Sequence, residues 1–334
     1  MYVALLGRQP ALGIAELERV FGGQRVTPLS GEAAIIDTDL LDIQRLGGTL
    51  KAGRVIIDLS SGDWSKLSNK VIQHYSDSWA SFDGKITLGI SSYGFSNGPR
   101  DVQKIGIILK QRLKKSGVSL RLVPNQDTAL STATSHHNKL GLSDNKVELL
   151  LIRARNGRIV AAESTGAQNI TAYAKRDQER PKRDAFVGML PPKLAQIMIN
   201  LSGLDMERSS VPSRGDNLQP EFVETPGPSL EPGAKPVSKT RNPKTNLSRI
   251  LDPFCGTGVI LQEAALMGYS IYGTDLAEKM VRYSRDNLNW LADTRHMTFD
   301  WFLHEGDAMD TKWQQPIDAI VAETYLGQPF SAPP

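Results

Sequence analysis

The residues with the clearest chemical potential in this sequence form a short glycine-rich loop. The loop, Asp252-Pro253-Phe254-Cys255-Gly256-Thr257-Gly258, lies between a predicted strand at 249–251 and a predicted helix at 259–267. Glycines let a backbone approach a ligand closely, and the helix N-terminus offers N–H groups to an anionic group such as a carboxylate. The loop lacks the third glycine of the GxGxxG dinucleotide motif and the GK[ST] of a phosphate-binding loop. The spacing therefore predicts a ligand site that neither nucleotide motif describes.

Two aspartates follow the next two predicted strands. Asp275 comes after a predicted strand at 270–274, where a carboxylate can accept hydrogen bonds from two ribose hydroxyls or cap the predicted helix at 277–291. Both roles are compatible. Asp307 follows a predicted strand at 301–304, where it could accept from an adenine amino group, although the spacing alone favours a simple turn aspartate.

Strands and helices alternate from residue 249 onward, and a buried strand is predicted at 319–322. This alternation predicts a parallel sheet of the doubly wound α/β kind. Only four strands can be placed, fewer than such a sheet normally contains. Three explanations stay open: the chain is a piece of a longer protein, a partner chain or a further C-terminal segment completes the sheet, or the exposed strand edge makes the chain unstable.

These motifs together resemble those of the class I methyltransferases. DPFCGTG, the acidic residue after the second strand and the GDA triplet at 306–308 occur in that order. More specifically, the chain is similar to the tRNA guanine-N2 methyltransferases that carry a THUMP domain. Residues 173–203, YAKRDQERPKRDAFVGMLPPKLAQIMINLSG, resemble the segment before the catalytic core of that family, and residues 47–51 and 104–106 resemble its N-terminal region. The likeness covers nearly all of the chain except residues 205–246.

The resemblance implies a fold and an order of domains. It implies an α/β chain with an incomplete Rossmann-like class I methyltransferase domain, preceded by an α+β ferredoxin-like/THUMP RNA-binding region. The expected divisions are a ferredoxin-like domain at 1–65, a THUMP domain at 66–172, a linker with an upstream cofactor-covering motif at 173–204, a flexible insertion at 205–246 and the partial methyltransferase domain at 247–334. The insertion is rich in Pro, Ser, Gly and Asn, which favours a mobile segment.

Hydrophobic periodicity predicts the elements of the N-terminal part. An Asn156-Gly157 pair predicts a hairpin turn between the last two strands of this part. Helices are predicted at 11–21, 100–115 and 189–203, and strands at 2–6, 33–36, 54–59, 85–91, 119–123, 146–154 and 158–164.

The cofactor that the resemblance implies is S-adenosylmethionine. By that resemblance, Asp252, Phe254, Gly256 and Gly258 would line its methionine end, Asp275 would hold the ribose, Asp307 with Ala308 the adenine, and Leu190 and Pro191 would belong to the motif that closes over it. Cys255, the one cysteine, lies inside this loop and is expected to be a packing residue rather than a nucleophile. No metal site is predicted, because His136-His137 has no carboxylate or cysteine at ligand spacing.

The catalytic motif departs from the family pattern. In the family, an acid, a backbone carbonyl and an aromatic ring after the fourth strand hold the amine of a flipped base. Here Glu323 stands in the place of the acid, Thr324 replaces a proline, and Tyr325 comes one position earlier than the aromatic residue. Three hypotheses follow: a working variant with Glu323 as acceptor and Tyr325 as stacking ring, a different methyl acceptor, or an inactive site. The first is favoured.

Charge is distributed unevenly along the chain. Residues 100–185 contain 17 Lys and Arg against 8 Asp and Glu, whereas residues 246–334 contain 6 against 12. A basic middle suits a polyanion, although a solvated lysine-rich surface explains it equally well. The resemblance makes tRNA the expected partner, with affinity that falls steeply with salt. The candidate RNA-binding residues are Lys104, Lys110, Arg112, Lys114, Lys115, Arg121, Lys139, Arg176, Arg180 and Arg183.

Composition favours a cytoplasmic protein without a membrane segment. No stretch approaches the roughly 18 apolar residues that span a bilayer, the N-terminus has no basic leader, and a single cysteine forms no internal disulfide.

Two functional classes stay open. The first is an S-adenosylmethionine-dependent tRNA guanine-N2 methyltransferase, and the second is an RNA-binding protein with a truncated or degenerate methyltransferase domain. A DNA amine methyltransferase would not explain the THUMP-like half.

Overall fold

The computed structural model describes residues 1–184, 190–204, 247–313 and 316–324 of the 334-residue chain. These residues form two β-sheets, one of eight strands and one of four. The expected flexible insertion at 205–246 lies outside the described residues. Within the described ranges, no helix has the length and apolarity needed to cross a membrane.

The larger sheet is built from the N-terminal part of the chain. Its strands are β1 (Tyr2–Leu6), β2 (Val26–Ser30), β3 (Ala33–Ile36), β4 (Thr49–Leu59), β5 (Lys85–Tyr93), β6 (Ser119–Leu122), β7 (Lys146–Arg153) and β8 (Ile159–Ala167). They lie in the order β2-β3-β1-β4-β8-β7-β5-β6. β4 pairs with β1 on one side and with β8 on the other, so the predicted units 1–65 and 66–172 share one sheet. The division between these units stays a prediction.

Helices cover only part of this sheet. They are α1 (Pro10–Phe21), α2 (Trp64–Ser78), α3 (Pro99–Lys115), α4 (Thr132–His137) and α5 (Ile170–Gln178). α2 and α3 pack on β5 and β7 in the largest core cluster. A second cluster contains no helical residue and joins β3 to β7, which three strands separate in the sheet order. The intervening strands also contribute to this cluster, so one apolar core runs across that face of the sheet from β3 to β7.

The smaller sheet follows α6 (Pro192–Leu201) and uses the C-terminal part of the chain. Its elements are β9 (Arg249–Asp252), α7 (Val259–Leu266), β10 (Ser270–Asp275), α8 (Glu278–Arg295), β11 (Trp301–Glu305) and β12 (Ala319–Ile320). All four strands are parallel and lie in the order β11-β10-β9-β12. The chain thus moves outward from β9 to β11 and returns to the other side of β9, as the Rossmann-like prediction requires. In such sheets ligands bind outside the carboxyl ends of the strands, at this point of return.

The fourth strand corrects one prediction. β12 has two residues instead of the buried strand expected at 319–322, and Ile320 is 66% exposed. The reason is that β12 pairs with β9 alone among the described strands, so its outer edge is uncovered there. Val321 is buried, and its N–H donates to the Leu251 carbonyl at 2.9 Å, which holds the chain beside β9.

α5 and α6 join the two sheets. α6 packs against both α1 and α7. Its Asn200 side chain donates to Glu16 Oε1 on α1 at 2.7 Å, and Arg176 on α5 forms a buried ion pair with Glu263 on α7, with Nε and Oε1 2.6 Å apart. These buried, directional contacts fix the smaller sheet against the larger one.

Candidate cofactor site and basic surface

The loop after β9 has the backbone geometry that requires its glycines. Gly256 and Gly258 have φ angles of 50° and 80°, in the left-handed region. A Cβ added to Gly258 would lie 2.8 Å from Ser284 Oγ. Gly258 is also the residue that precedes α7, and the first N–H groups of a helix have no acceptor within the helix. The loop therefore brings hydrogen-bond donors to the carboxyl edge of the sheet.

Asp275 braces this loop from the neighbouring strand. Its Oδ2 accepts from the Gly256 N–H at 2.9 Å, and its Oδ1 accepts from the Ala277 N–H at 2.9 Å, just before α8. The predicted cap is a correction: Ala277 is the N-cap of α8, and Asp275 bonds the N–H of that residue instead of an N–H in the first turn. Each carboxylate oxygen has a second lone-pair direction, so Asp275 can also accept from a ligand hydroxyl.

Asp252 lies at the centre of the site and is buried. Burial raises the pKa of its carboxyl to about 7; the hydrogen bond from the Phe254 N–H opposes this shift, and the nearby Asp275 and Glu323 carboxylates support it. Carboxylates from β10 and from the segment after β12 therefore act on the buried carboxyl of β9. A buried acid whose pKa is shifted in the presence of other acids is a recognised mark of a functional site.

The two predicted catalytic residues differ in what the structure describes. Glu323 is exposed, follows β12 and lies close enough to Asp252 to act on its titration. Tyr325 lies outside the described residues. The structure thus brings the predicted acid to the same edge as the predicted cofactor loop.

Asp307 has the geometry of a turn aspartate. Its Oδ1 accepts from the Met309 N–H at 2.9 Å, and its carbonyl accepts from the Thr311 hydroxyl at 2.7 Å. Asp307 is exposed and Ala308 is partly buried. The turn predicted from spacing is present, and the contact with adenine stays a prediction.

Two apolar residues at this edge were not predicted from the sequence. Leu276, directly after Asp275, is 74% exposed, and Met309 is 90% exposed. Large apolar side chains that stay exposed beside polar strand ends are typical of ligand sites. The sequence did contain an indication of them, because Leu276 and Met309 each come within two residues after an aspartate that follows a strand. Phe254, which was predicted, is half-exposed in the loop itself.

The helix behind the loop holds it in place. Ser284 on α8 donates to the Gly256 carbonyl at 2.9 Å and contacts Cys255. Cys255 is buried, and burial raises the pKa of its thiol to about 12. Since the thiolate is the nucleophile, this cysteine is a packing residue, as expected.

The upstream motif contributes to the core. Leu190 packs with Val259 and Ile260 of α7 in the hydrophobic cluster of the smaller sheet, and the exposed Pro191 precedes α6. Their predicted role in covering the cofactor stays a prediction.

Most of the predicted RNA-binding residues lie on the surface. α3 buries one face against the larger sheet and turns its basic side chains outward. The exposed members are Lys104, Lys110, Arg112, Lys114, Lys115, Arg121, Lys139 and Arg183.

Arg176 and Arg180 are corrections to this set. Arg176 is buried and bound through two nitrogens to Glu263, at 2.6 and 3.1 Å. Arg180 is only 3% exposed, and its guanidinium has no hydrogen-bond partner among the described residues. Neither group is open to a phosphate, because the junction between the two sheets encloses both.

Comparisons with known proteins agree with this geometry. Residues 242–328 match the UPF0020 family model, described as an RMKL-like methyltransferase domain. The chain is 33% identical over 153 residues to a tRNA (guanine(10)-N2)-dimethyltransferase of Methanothermobacter thermautotrophicus, an alignment that covers 45% of this chain and 32% of that protein. It is 37% identical over 95 residues to a protein of the same name from Pyrococcus abyssi, over 26% of this chain and 27% of that one.

The same comparisons define the extent of the likeness. The structure of TrmN from Thermus thermophilus aligns with 91% of this chain and 73% of its own, with 14% identity and a TM-score of 0.43. In the alignment with the Methanothermobacter thermautotrophicus protein, this chain spans about a third of that protein's length. The likeness to a methyltransferase domain that the motifs predict is thus found over residues 242–328.

Proposed function

We propose that this chain, whose residues 242–328 match the model of an RMKL-like methyltransferase domain, transfers a methyl group from S-adenosylmethionine to the exocyclic N2 of a guanosine in tRNA. One observation carries the proposal: Asp252, Asp275 and the loop at Gly256–Gly258 meet at the carboxyl ends of two adjacent parallel strands. This is the ligand-binding edge of a sheet with this strand order. The substrate class comes from the names of the relatives.

The residues at this edge fit the chemical parts of the cofactor. When bound, S-adenosylmethionine supplies an electrophilic methyl group on a positively charged sulfonium. Asp252 and Glu323 make the surroundings acidic, which favours a cation. Asp275 keeps acceptor capacity for ribose hydroxyls, and Leu276 and Met309 offer apolar contact to an adenine ring.

Glu323 is the proposed acceptor for the guanine amine. The lone pair of an exocyclic amine is conjugated into the base, so an acceptor that binds its N–H can restore its nucleophilicity and orient it toward the methyl group. In the reaction the new N–C bond forms as the S–C bond breaks, and the amine proton leaves toward this acceptor or solvent. Glu323 is exposed beside Asp252, so a base can reach it from solution.

The outward face of α3 is the proposed tRNA surface. All six of its basic side chains are exposed: Arg100, Lys104, Lys110, Arg112, Lys114 and Lys115. Clustered positive charge follows a phosphate backbone and reads its shape more than its sequence. The site at the smaller sheet would then act on a base that the larger sheet helps to hold.

A second candidate function has its own observation. Glu323 is followed by Thr324 where the family has proline, and β12 is short with an exposed outer edge. These features favour an RNA-binding protein whose methyltransferase domain does not turn over.

The test is methyl transfer itself. The purified chain is incubated with unmodified tRNA and methyl-labelled S-adenosylmethionine, and the RNA is digested to nucleosides. Label in N2-methylguanosine or its dimethyl form is the expected result. Bound tRNA without label in any nucleoside would favour the second candidate.

A further inference from the structure

A short segment connects the basic region of the chain to the cofactor loop. Residues 180–184, here called the strap, leave α5 and run along α8. Asp184 binds Lys279 with Oδ2 and Nζ 2.9 Å apart. The Lys182 ammonium lies 3.6 Å from Asp286 Oδ2 and 5.6 Å from the centre of the Tyr283 ring. The strap therefore lies against one face of α8 over two turns.

One buried side chain ties the strap to the loop. The Asn287 amide exchanges two hydrogen bonds with the Lys182 backbone, each 2.9 Å long. Its Nδ2 also donates to the Thr257 carbonyl at 2.8 Å. Asn287 is fully buried, so each of these bonds would leave an unsatisfied polar group if it broke. A shift of the strap is thereby transmitted to the residue between the two loop glycines.

α8 holds the loop at two neighbouring points. Ser284, one turn before Asn287, donates to the Gly256 carbonyl at 2.9 Å. Ser284 has no contact with the strap among its described hydrogen bonds, whereas Asn287 contacts both segments. Of this pair, Asn287 alone is placed to connect them.

The strap also presents charge to solvent. Arg183 is exposed, and Lys182 is partly exposed. Both belong to the basic half of the chain, and neither is enclosed as Arg180 is. The strap therefore offers the Lys182 and Arg183 side chains to a phosphate backbone, while the Lys182 main chain is hydrogen-bonded to Asn287, which in turn contacts the cofactor loop.

We propose that Asn287 is a positioning residue that couples tRNA binding to cofactor binding. tRNA held by Arg183 and Lys182 steadies the strap, and Asn287 conveys this order to the Thr257 carbonyl and hence to the cofactor loop. The inference rests on the proposed function, because it requires both ligands. The coupling is reciprocal: the cofactor strengthens tRNA binding by the same factor.

Equilibrium binding of S-adenosylhomocysteine, with and without saturating unmodified tRNA, tests the coupling without turnover. In the parent chain we expect saturating tRNA to lower the Kd of S-adenosylhomocysteine about 5-fold or more, which is the lower end of typical coupling between two sites. Asn287→Ala should reduce the factor to about 2-fold or less. Arg183→Ala, at an exposed position of the strap, removes the proposed phosphate contact without changing a buried group, so it should lower the factor even where the Asn287 variant folds poorly.

Asn289→Ala is the matched control, an exposed asparagine two residues further along the same helix. It should retain the parent's factor. A parent that binds each ligand with no coupling, or an Asn287→Ala variant that keeps it, would overturn the inference and leave the proposed function standing. A parent that binds neither S-adenosylhomocysteine nor tRNA would overturn both.

Discussion

The two sheets bury carboxylates in opposite surroundings. In the larger sheet, Glu148 lies 2.5 Å from the Lys51 ammonium, accepts from the Ser91 hydroxyl at 2.6 Å and is fully buried. In the smaller sheet, Asp252 is buried near two other carboxylates, and its pKa is raised to about 7. Glu148 is paired with a cation inside the protein. None of the groups that shift the pKa of Asp252 is a cation.

This difference supports the proposal that Glu148 is a structural acid and Asp252 a functional one. A buried carboxylate that is already paired with a cation holds strands together and leaves little for a cationic ligand to gain. A buried carboxyl beside other acids lacks internal compensation, so a cationic ligand can supply it. Both regions contain a sheet, so sheet architecture alone does not indicate which of them binds a ligand. The groups beside each buried carboxylate give that indication.

The largest expected effect on stability comes from breaking the paired acid. Glu148→Ala would leave the Lys51 ammonium buried without its partner, which should cost about 3 to 5 kcal/mol in the free energy of unfolding. Urea unfolding measures this. The double variant Lys51→Met, Glu148→Leu should recover most of the loss, since it removes both charges. A single variant as stable as the parent would contradict the structural role of the pair.

Asp252→Asn should raise the free energy of unfolding above neutral pH, whereas Glu148→Ala should lower it. Because the folded pKa is raised above the unfolded one, the native state holds its proton more tightly, and parent stability falls as pH rises between about 4 and 7. The slope is at most about 1.4 kcal/mol per pH unit from this group. The asparagine variant lacks this fall, so the two proteins should match near pH 4 and the variant should be more stable at pH 8.

Thermal unfolding of both proteins across this pH range is the measurement. Parallel curves at every pH would show that Asp252 does not titrate in the folded protein as its surroundings imply. The same variant should bind S-adenosylmethionine more weakly, which separates its gain in stability from its loss of function.

The middle of the chain is basic and its C-terminal part is acidic, so substitutions in the two parts should differ in their effect on the salt dependence of tRNA binding. tRNA affinity should fall steeply with salt, and Lys110→Ala with Lys114→Ala should lower the salt slope by about one for each phosphate that is no longer neutralised. Lys312→Ala, an exposed lysine of the acidic part, should leave the slope unchanged. Filter binding at several salt concentrations measures this. A slope that is flat in the parent would remove the proposed RNA surface.

The smallest effect is expected at a surface ion pair of the larger sheet. Arg158 binds Asp58 through two nitrogens at 2.9 and 2.6 Å, and both side chains are 29% exposed. Solvent screens such a pair, so Arg158→Ala should cost only about 0.2 to 1 kcal/mol. The hydrogen bonds from Arg158 lower the pKa of Asp58, so this contribution should disappear in acid. A loss as large as that of Glu148→Ala would break the contrast between buried and exposed pairs.

Local patterns were sufficient for most strands and for the cofactor loop. Predicted strands at 2–6 and 33–36 coincide with β1 and β3, and the helix predicted at 100–115 differs from α3 by one residue. These elements are specified by neighbours in the sequence: alternating burial, a glycine–proline start and a glycine stop. α2 was missed although its buried stripe has helical spacing: Leu67, Val71, Ile72 and Tyr75.

Other features depend on contacts between distant parts of the chain. Arg176 and Arg180 look like their exposed neighbour Arg183 in the sequence, and their burial, with the ion pair between Arg176 and Glu263, appears only in the folded chain. The pairing of β4 with β8, which unites two predicted domains, joins residues about a hundred positions apart. No sequence pattern indicates the role proposed for Asn287, because that role depends on contacts among α8, the strap and the cofactor loop.

The most direct test of the central claim is calorimetric titration of S-adenosylmethionine into the parent chain and into Asp275→Ala. Asp275 is proposed to bind the ribose, and it braces the Gly256 N–H at 2.9 Å, so its loss should weaken binding about tenfold or more, since one charge-assisted hydrogen bond is worth roughly 1.5 to 3 kcal/mol. Asp286→Ala, an exposed aspartate of α8, is the control and should bind as the parent does. Equal affinity in the parent and Asp275→Ala would contradict the assignment of the cofactor site to this edge of the smaller sheet.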